Sequence, residues 1–191
     1  MREELDKLLV EKFPKLFRDR YAPMTETCMC WGFCCGDGWF GILDTLCANI
    51  QNHIDWRRSQ RAYALRYNRS LKRALKAQSI EPLLDYYTRK QPGKPPYPYQ
   101  IQDAEQSLND GKYRDVPEYV HQVVVVQVKE KFGTLRFYYN GGDATVEGMV
   151  RMAESMSACI CEKCGASSST KSRDGWVTSQ CDSCLTELDK V

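Results

Sequence analysis

Histidine is scarce in this 191-residue chain: His53 and His121 are the only two, and they lie far apart in sequence. Neither belongs to an HExxH pair, and the sequence also lacks a GxSxG nucleophile elbow, a Walker phosphate loop and an acidic cluster that would hold magnesium. One histidine on a helix and one on a strand are more often structural than catalytic. Nothing in the composition argues for an enzyme, and the expectation is for a protein that binds rather than catalyses.

Long hydrophobic runs are missing as well. The longest aliphatic run, Val123-Val124-Val125-Val126, is far too short to span a bilayer. The opening Met1-Arg2-Glu3-Glu4-Leu5-Asp6-Lys7 is charged where a signal peptide would turn apolar, so a soluble cytoplasmic protein without a membrane partner is expected. An excess of one charge is also lacking: a net charge of +2 argues against coating nucleic acid by bulk charge.

Cysteine, by contrast, is plentiful at ten residues, which without an export signal reads as metal ligands and reduced thiols rather than a disulfide framework. Cys161-Glu162-Lys163-Cys164-Gly165 is answered sixteen residues further on by Cys181-Asp182-Ser183-Cys184. Two C-x2-C knuckles at this spacing predict one structural zinc ion per chain on Cys161, Cys164, Cys181 and Cys184, with four thiolates leaving no open position for chemistry. Cys28, Cys30, Cys34 and Cys35 lack a knuckle spacing and read as core thiols, with a second metal site as the alternative.

Periodicity supplies the rest of the architecture. A helix is expected from Arg2 to about Lys12, then a long helix from about Trp39 that stays apolar on one face to Ile54 and ends near Gln78. Pro82 and the proline-rich residues 91–100 read as breaks, the latter as a stiff connector, followed by a short helix over 103–110. From Tyr119 the period changes to two. A hairpin is expected over 119–139, with its turn at Lys131-Phe132-Gly133-Thr134 and with Val120, Val124, Val126 and Val128 on one side. A helix over 145–156 then leads to the ribbon. The fold class is α+β: a helical half over 1–90, a hairpin and helix within 101–158 completing a core domain over 1–158, and a C-terminal zinc ribbon over 159–191.

Candidate binding residues fall in three places. Gly36-Asp37-Gly38-Trp39-Phe40-Gly41 matches the letters of a dinucleotide fingerprint but lacks its strand and acid; Asp37 can cap the helix, and free amides at Gly36 and Gly38, beside Trp39, could hold an anion. Residues 55–76 carry eight basic side chains, among them Arg57, Arg58, Arg61, Arg66, Arg69 and Arg73, against Asp55 alone, a local charge of +7. On the hairpin, Lys129, Lys131, Arg136 and Tyr138 mix basic and aromatic groups of the kind that contact phosphate and base, and that also suit a protein interface.

Gly36-Asp37-Gly38-Trp39-Phe40, Lys129-Glu130-Lys131-Phe132-Gly133-Thr134-Leu135-Arg136-Phe137-Tyr138 and the paired C-x2-C with Trp176 between them together resemble small, mostly uncharacterised zinc-ribbon proteins of tailed bacteriophages and prophages. The resemblance covers neither the N-terminal helix nor the proline-rich connector. It implies a bacterial cytoplasm and an accessory role: binding, and modulating or inhibiting, a host protein or protein–nucleic-acid complex, host defence included. Two alternatives stand beside it, a direct nucleic-acid binder using the basic helix and hairpin, and a pocket for an anionic nucleotide walled by residues 36–41 and nearby arginines.

Overall fold

The valine run from Val123 to Val126 forms a strand, but not with a simple alternation. In a computed structural model, which describes residues 1–89, 91–173 and 175–186, β2 (His121–Lys131) pairs antiparallel with β3 (Thr134–Gly142) and is interrupted by register shifts between His121 and Val124 and between Val125 and Gln127. Each bulge turns the strand by one residue. The valines that join the core cluster are therefore Val120, Val123, Val125 and Val128, drawn from both sides of the expected alternation, and Val124 is buried as well. Between the shifts, the Val125 N–H donates to the Leu16 carbonyl, 2.9 Å away.

The chain is α+β, with helices dominating its N-terminal half, a small sheet in the middle and a cysteine cluster near the C-terminus. It divides into two compact units, Met1–Asp55 with Val120–Val191, and Trp56–Tyr119. This differs from the division expected at residue 158. The ribbon is packed into the first unit, and the basic stretch forms a unit with the helices that follow it.

In the first unit, α1 (Glu3–Lys12) contributes Leu9 and Val10, and the turn after it adds Phe13, Leu16 and Phe17. A two-residue strand β1 (Phe33–Cys34) runs parallel to β2 and extends the sheet to the order β1-β2-β3. Against these pack Leu43, Leu46, Cys47, Ile50 and Ile54 of α2 (Phe40–Ala77), and Val146, Val150 and Ala153 of α5 (Ala144–Ser157). The irregular segment before β1 is held by a buried ion pair: Arg20 Nε and Nη2 donate to the Asp6 carboxylate at 3.0 and 2.9 Å, and Arg20 Nη1 to the Cys30 carbonyl at 3.2 Å.

The second unit joins the C-terminal part of α2 to α3 (Glu81–Thr88) and α4 (Pro98–Asp110). Its core is Tyr67, Leu71 and Ala74 of α2 with Leu83 and Ala104. Pro82 opens α3 rather than breaking structure, because a proline in the first helical turn has no amide to lose. Pro98 does the same for α4, where Tyr97 N–H donates to Gln100 Oε1 at 2.8 Å, so helix occupies the end of the expected connector. Gly111 closes α4 in the left-handed conformation.

Candidate metal centre and neighbouring surfaces

Each knuckle is a hydrogen-bonded turn. The Gly165 N–H donates to the Cys161 carbonyl at 2.8 Å, and those of Cys184 and Leu185 donate to the Cys181 carbonyl, both at 3.0 Å, where α6 (Asp182–Thr186) begins. Between the knuckles, β4 (Lys171–Arg173) and β5 (Trp176–Thr178) form a hairpin, and the Glu162 N–H donates to Ser179 O at 3.1 Å, which ties one knuckle to the other. All four sulfurs lie within 4.8 Å of one another, with Cys164 and Cys181 Sγ 3.6 Å apart. A tetrahedral ion with metal–sulfur bonds of about 2.3 Å sets its sulfurs about 3.8 Å apart, so the four cysteines can hold a metal ion.

Within the first knuckle it is Cys161 that is prepared for a thiolate, while Cys164, although lowered by the Ala166 amide, is held above its usual range by the neighbouring thiols. Burial pushes the Cys161 thiol up, but backbone N–H groups of Cys181, Cys164 and Lys163, with the Cys164 side chain, outweigh it and bring the group down to about 6. Among the described residues, no second group of three or more ligands gathers, and Cys28, Cys30, Cys34 and Cys35 are free thiols, of which only Cys35 is in the core as expected; Cys28 and Cys34 are exposed and Cys30 is half-buried. Burial raises the Cys35 thiol to about 12.

Gly36, Asp37, Gly38 and Trp39 lie against this first knuckle. The Gly38 N–H donates to Glu162 O and the Gly36 N–H to Glu162 Oε1, both at 2.8 Å, while the fully buried Trp39 ring donates to Ile160 O at 2.9 Å. A Cβ at Gly38 would fall 2.1 Å from Cys161 O and 2.4 Å from Gly165 N, an approach only glycine permits. Asp37 accepts from Arg2 N at 2.7 Å and Arg2 Nε at 2.5 Å. Two of the glycines that imitate a nucleotide fingerprint, Gly36 and Gly38, are thus the seat of the first knuckle, and their amides are taken by Glu162. Glu162 itself could not be found by motif; its half-buried carboxyl is raised, chiefly by desolvation.

The basic residues separate into two groups. Arg61 Nη1 donates to Pro117 O at 2.6 Å, Arg58 stands 5.0 Å from the Tyr119 ring centre, and Arg57 is half-buried. Arg66, Arg69 and Arg73 are exposed. On the hairpin, Lys129 lies over the Tyr138 ring and Lys131 over the Phe132 ring, each 5.3 Å from the ring centre, and Arg136 Nη1 donates to Thr134 Oγ1 at 2.6 Å. The turn of this hairpin meets the ribbon: a Cβ at Gly133 would lie 3.0 Å from Thr170 Cγ2 and 3.2 Å from Val177 Cγ1. Beside that junction Phe132 is 68% and Trp176 81% exposed.

His53 pairs with Asp143 at 2.9 Å, and Asp143 also caps α5 through the Thr145 and Val146 amides. Burial would raise the Asp143 carboxyl, but these bonds, that of His53 foremost, together hold it below the usual range. No helix among the described residues is long and apolar enough to cross a membrane.

Fold and site together define an α+β protein with four cysteines placed to hold a metal ion. No family model, curated protein or solved structure matches the chain.

Proposed function

We propose that the chain is a non-catalytic accessory protein of bacteriophage type, working in the bacterial cytoplasm by binding a host protein or protein–nucleic-acid complex and modulating or inhibiting it, with one structural zinc ion per chain. The observation that carries this is the junction of the β2–β3 turn with the ribbon, where Phe132 and Trp176 stay exposed while Gly133 packs closely against Thr170 and Val177. Exposed aromatics are among the side chains that dominate protein interfaces. A closed set of four thiolates supports a clamp rather than a reaction centre, and thiolate tetrahedra suit zinc. The phage setting rests on the motif resemblance.

The test is affinity capture from bacterial lysate with the native protein and with the Phe132→Ala/Trp176→Ala double variant, followed by binding of the purified partner. A partner held by the native protein and at least about 30-fold weaker with the variant is expected, since an interface anchor contributes about 2 kcal/mol or more. Equal binding by both proteins would remove the hairpin junction from the interface.

A further inference from the structure

Among the described residues of the second unit, the arginines are not alike. Arg58, Arg61 and Arg114 have internal partners, whereas Arg66, Arg69, Arg73 and Arg89 are exposed and without an ion pair. Arg66, Arg69 and Arg73 follow i, i+3, i+7 spacing, which sets them along one side of α2 over about 10 Å. The segment that ends α3 faces them, bringing Tyr86 and Arg89 to a hollow of about 500 Å³ with Tyr63 and Arg66, and to an adjoining one of about 340 Å³ with Arg66, Arg69 and Arg73. Among the described residues on these walls Asp85 is the one acid.

The tyrosines are held in place from behind. The Arg114 guanidinium stands 3.9 Å from the Tyr67 ring centre and 4.7 Å from that of Tyr63, and its Nη1 donates to the Tyr86 hydroxyl at 3.4 Å. Asn68 fixes Arg114 by two 2.8 Å bonds to its backbone. Tyr63 and Tyr86 meet at 5.3 Å with a 55° tilt, and Tyr63 remains 43% exposed. Four unpaired guanidinium groups lining one cleft repel one another, and a polyanion relieves that repulsion while accepting paired hydrogen bonds from each.

We propose that this cleft binds single-stranded nucleic acid, with Arg66, Arg69, Arg73 and Arg89 on successive phosphates and the rings of Tyr63 and Tyr86 offered to a base. The ligand chemistry is that of a nucleoside phosphate. A row of arginines longer than one phosphate favours a strand over a free nucleotide, and the ring faces favour bases over an acidic protein. The site is separate from the hairpin junction, so either can fail without the other.

Fluorescence anisotropy of the full chain with fluorescein-labelled dT20 and U20 tests it. Binding is expected to weaken with salt at a log–log slope of about −2 to −3, as for three or four phosphates on a single strand. Arg66→Glu/Arg69→Glu/Arg73→Glu should lower affinity more than about tenfold, and Tyr63→Ala about fivefold or more. Thermal melting checks that the variants fold, with Arg66→Gln/Arg69→Gln as the milder substitute if the triple reversal does not. Phe132→Ala/Trp176→Ala should leave oligonucleotide binding unchanged. Any of three results overturns the proposal: no binding of either oligonucleotide at tens of micromolar protein, affinity indifferent to the arginine variants, or displacement of the probe by AMP or polyglutamate as readily as by unlabelled dT20.

Discussion

The first unit joins a broad apolar core from two long helices, a sheet and the turn after α1 to a four-cysteine clamp, whereas the second surrounds a thin core containing Ala74 and Ala104 with polar and aromatic ties. There Asn68 holds Arg114, Arg114 holds three tyrosines, and Arg61 holds the Pro117 carbonyl. The contrast shows how a short segment with little apolar surface can be organised: charged side chains stack on rings and satisfy backbone carbonyls where methyl groups are few. It also shows why counting basic residues misleads, since part of the positive charge of α2 is structural.

Metal removal should separate the units most sharply. Structural zinc contributes on the order of 10 kcal/mol in small metal-held peptides, so a chelator, or Cys161→Ser/Cys181→Ser, should abolish the bound metal and hydrogen-exchange protection across the ribbon. Protection of Leu71 and Ala74 should persist, and its loss would show that the clamp supports both units. Leu71→Ala, fully buried in the thin core, should cost about 2–5 kcal/mol in thermal unfolding while metal content stays constant. Gly38→Ala has the converse signature: by driving a methyl group into the Cys161 carbonyl it should cost about 2–3 kcal/mol and weaken metal binding in competition with a chromophoric chelator.

The smallest effect belongs to Asp143. Its carboxyl is lower in the folded chain than in the unfolded one, so its contribution is complete above the ordinary aspartate range and is lost as pH falls through the folded value. Asp143→Ala should cost about 1 kcal/mol at neutral pH, a typical N-cap value, and the difference from the native protein should vanish in acid. A difference that persisted there would mean that the carboxylate charge is not what holds the start of α5.

Much of this was legible in the residues. Knuckle spacing identified Cys161, Cys164, Cys181 and Cys184 because the geometry is local, and helical periodicity located α1, α2 and α5 for the same reason. The bulges in β2 were hidden, since an unbroken valine run looks alike in either phase. Pro82 and Pro98 misled because proline ends one helix and begins another with the same chemistry. The pairing of β1 with β2 joins residues about a hundred positions apart, beyond any local pattern.

By itself, then, the sequence determined the α+β class, the turn between β2 and β3 and the gathering of four cysteines that could hold a metal ion, all consequences of short-range spacing and backbone chemistry. Only tertiary structure decided what Gly36 and Gly38 are for. Their amides could as well have met a phosphate as the Glu162 carbonyl and carboxylate more than a hundred residues away, and the choice depends on which group folding brings within 2.8 Å. The same holds for the arginines of α2: those that meet Pro117 and Tyr119 are internal ties, and Arg66, Arg69 and Arg73 remain exposed. Charge is written in the sequence, but whether it is already engaged by a partner is a property of the fold.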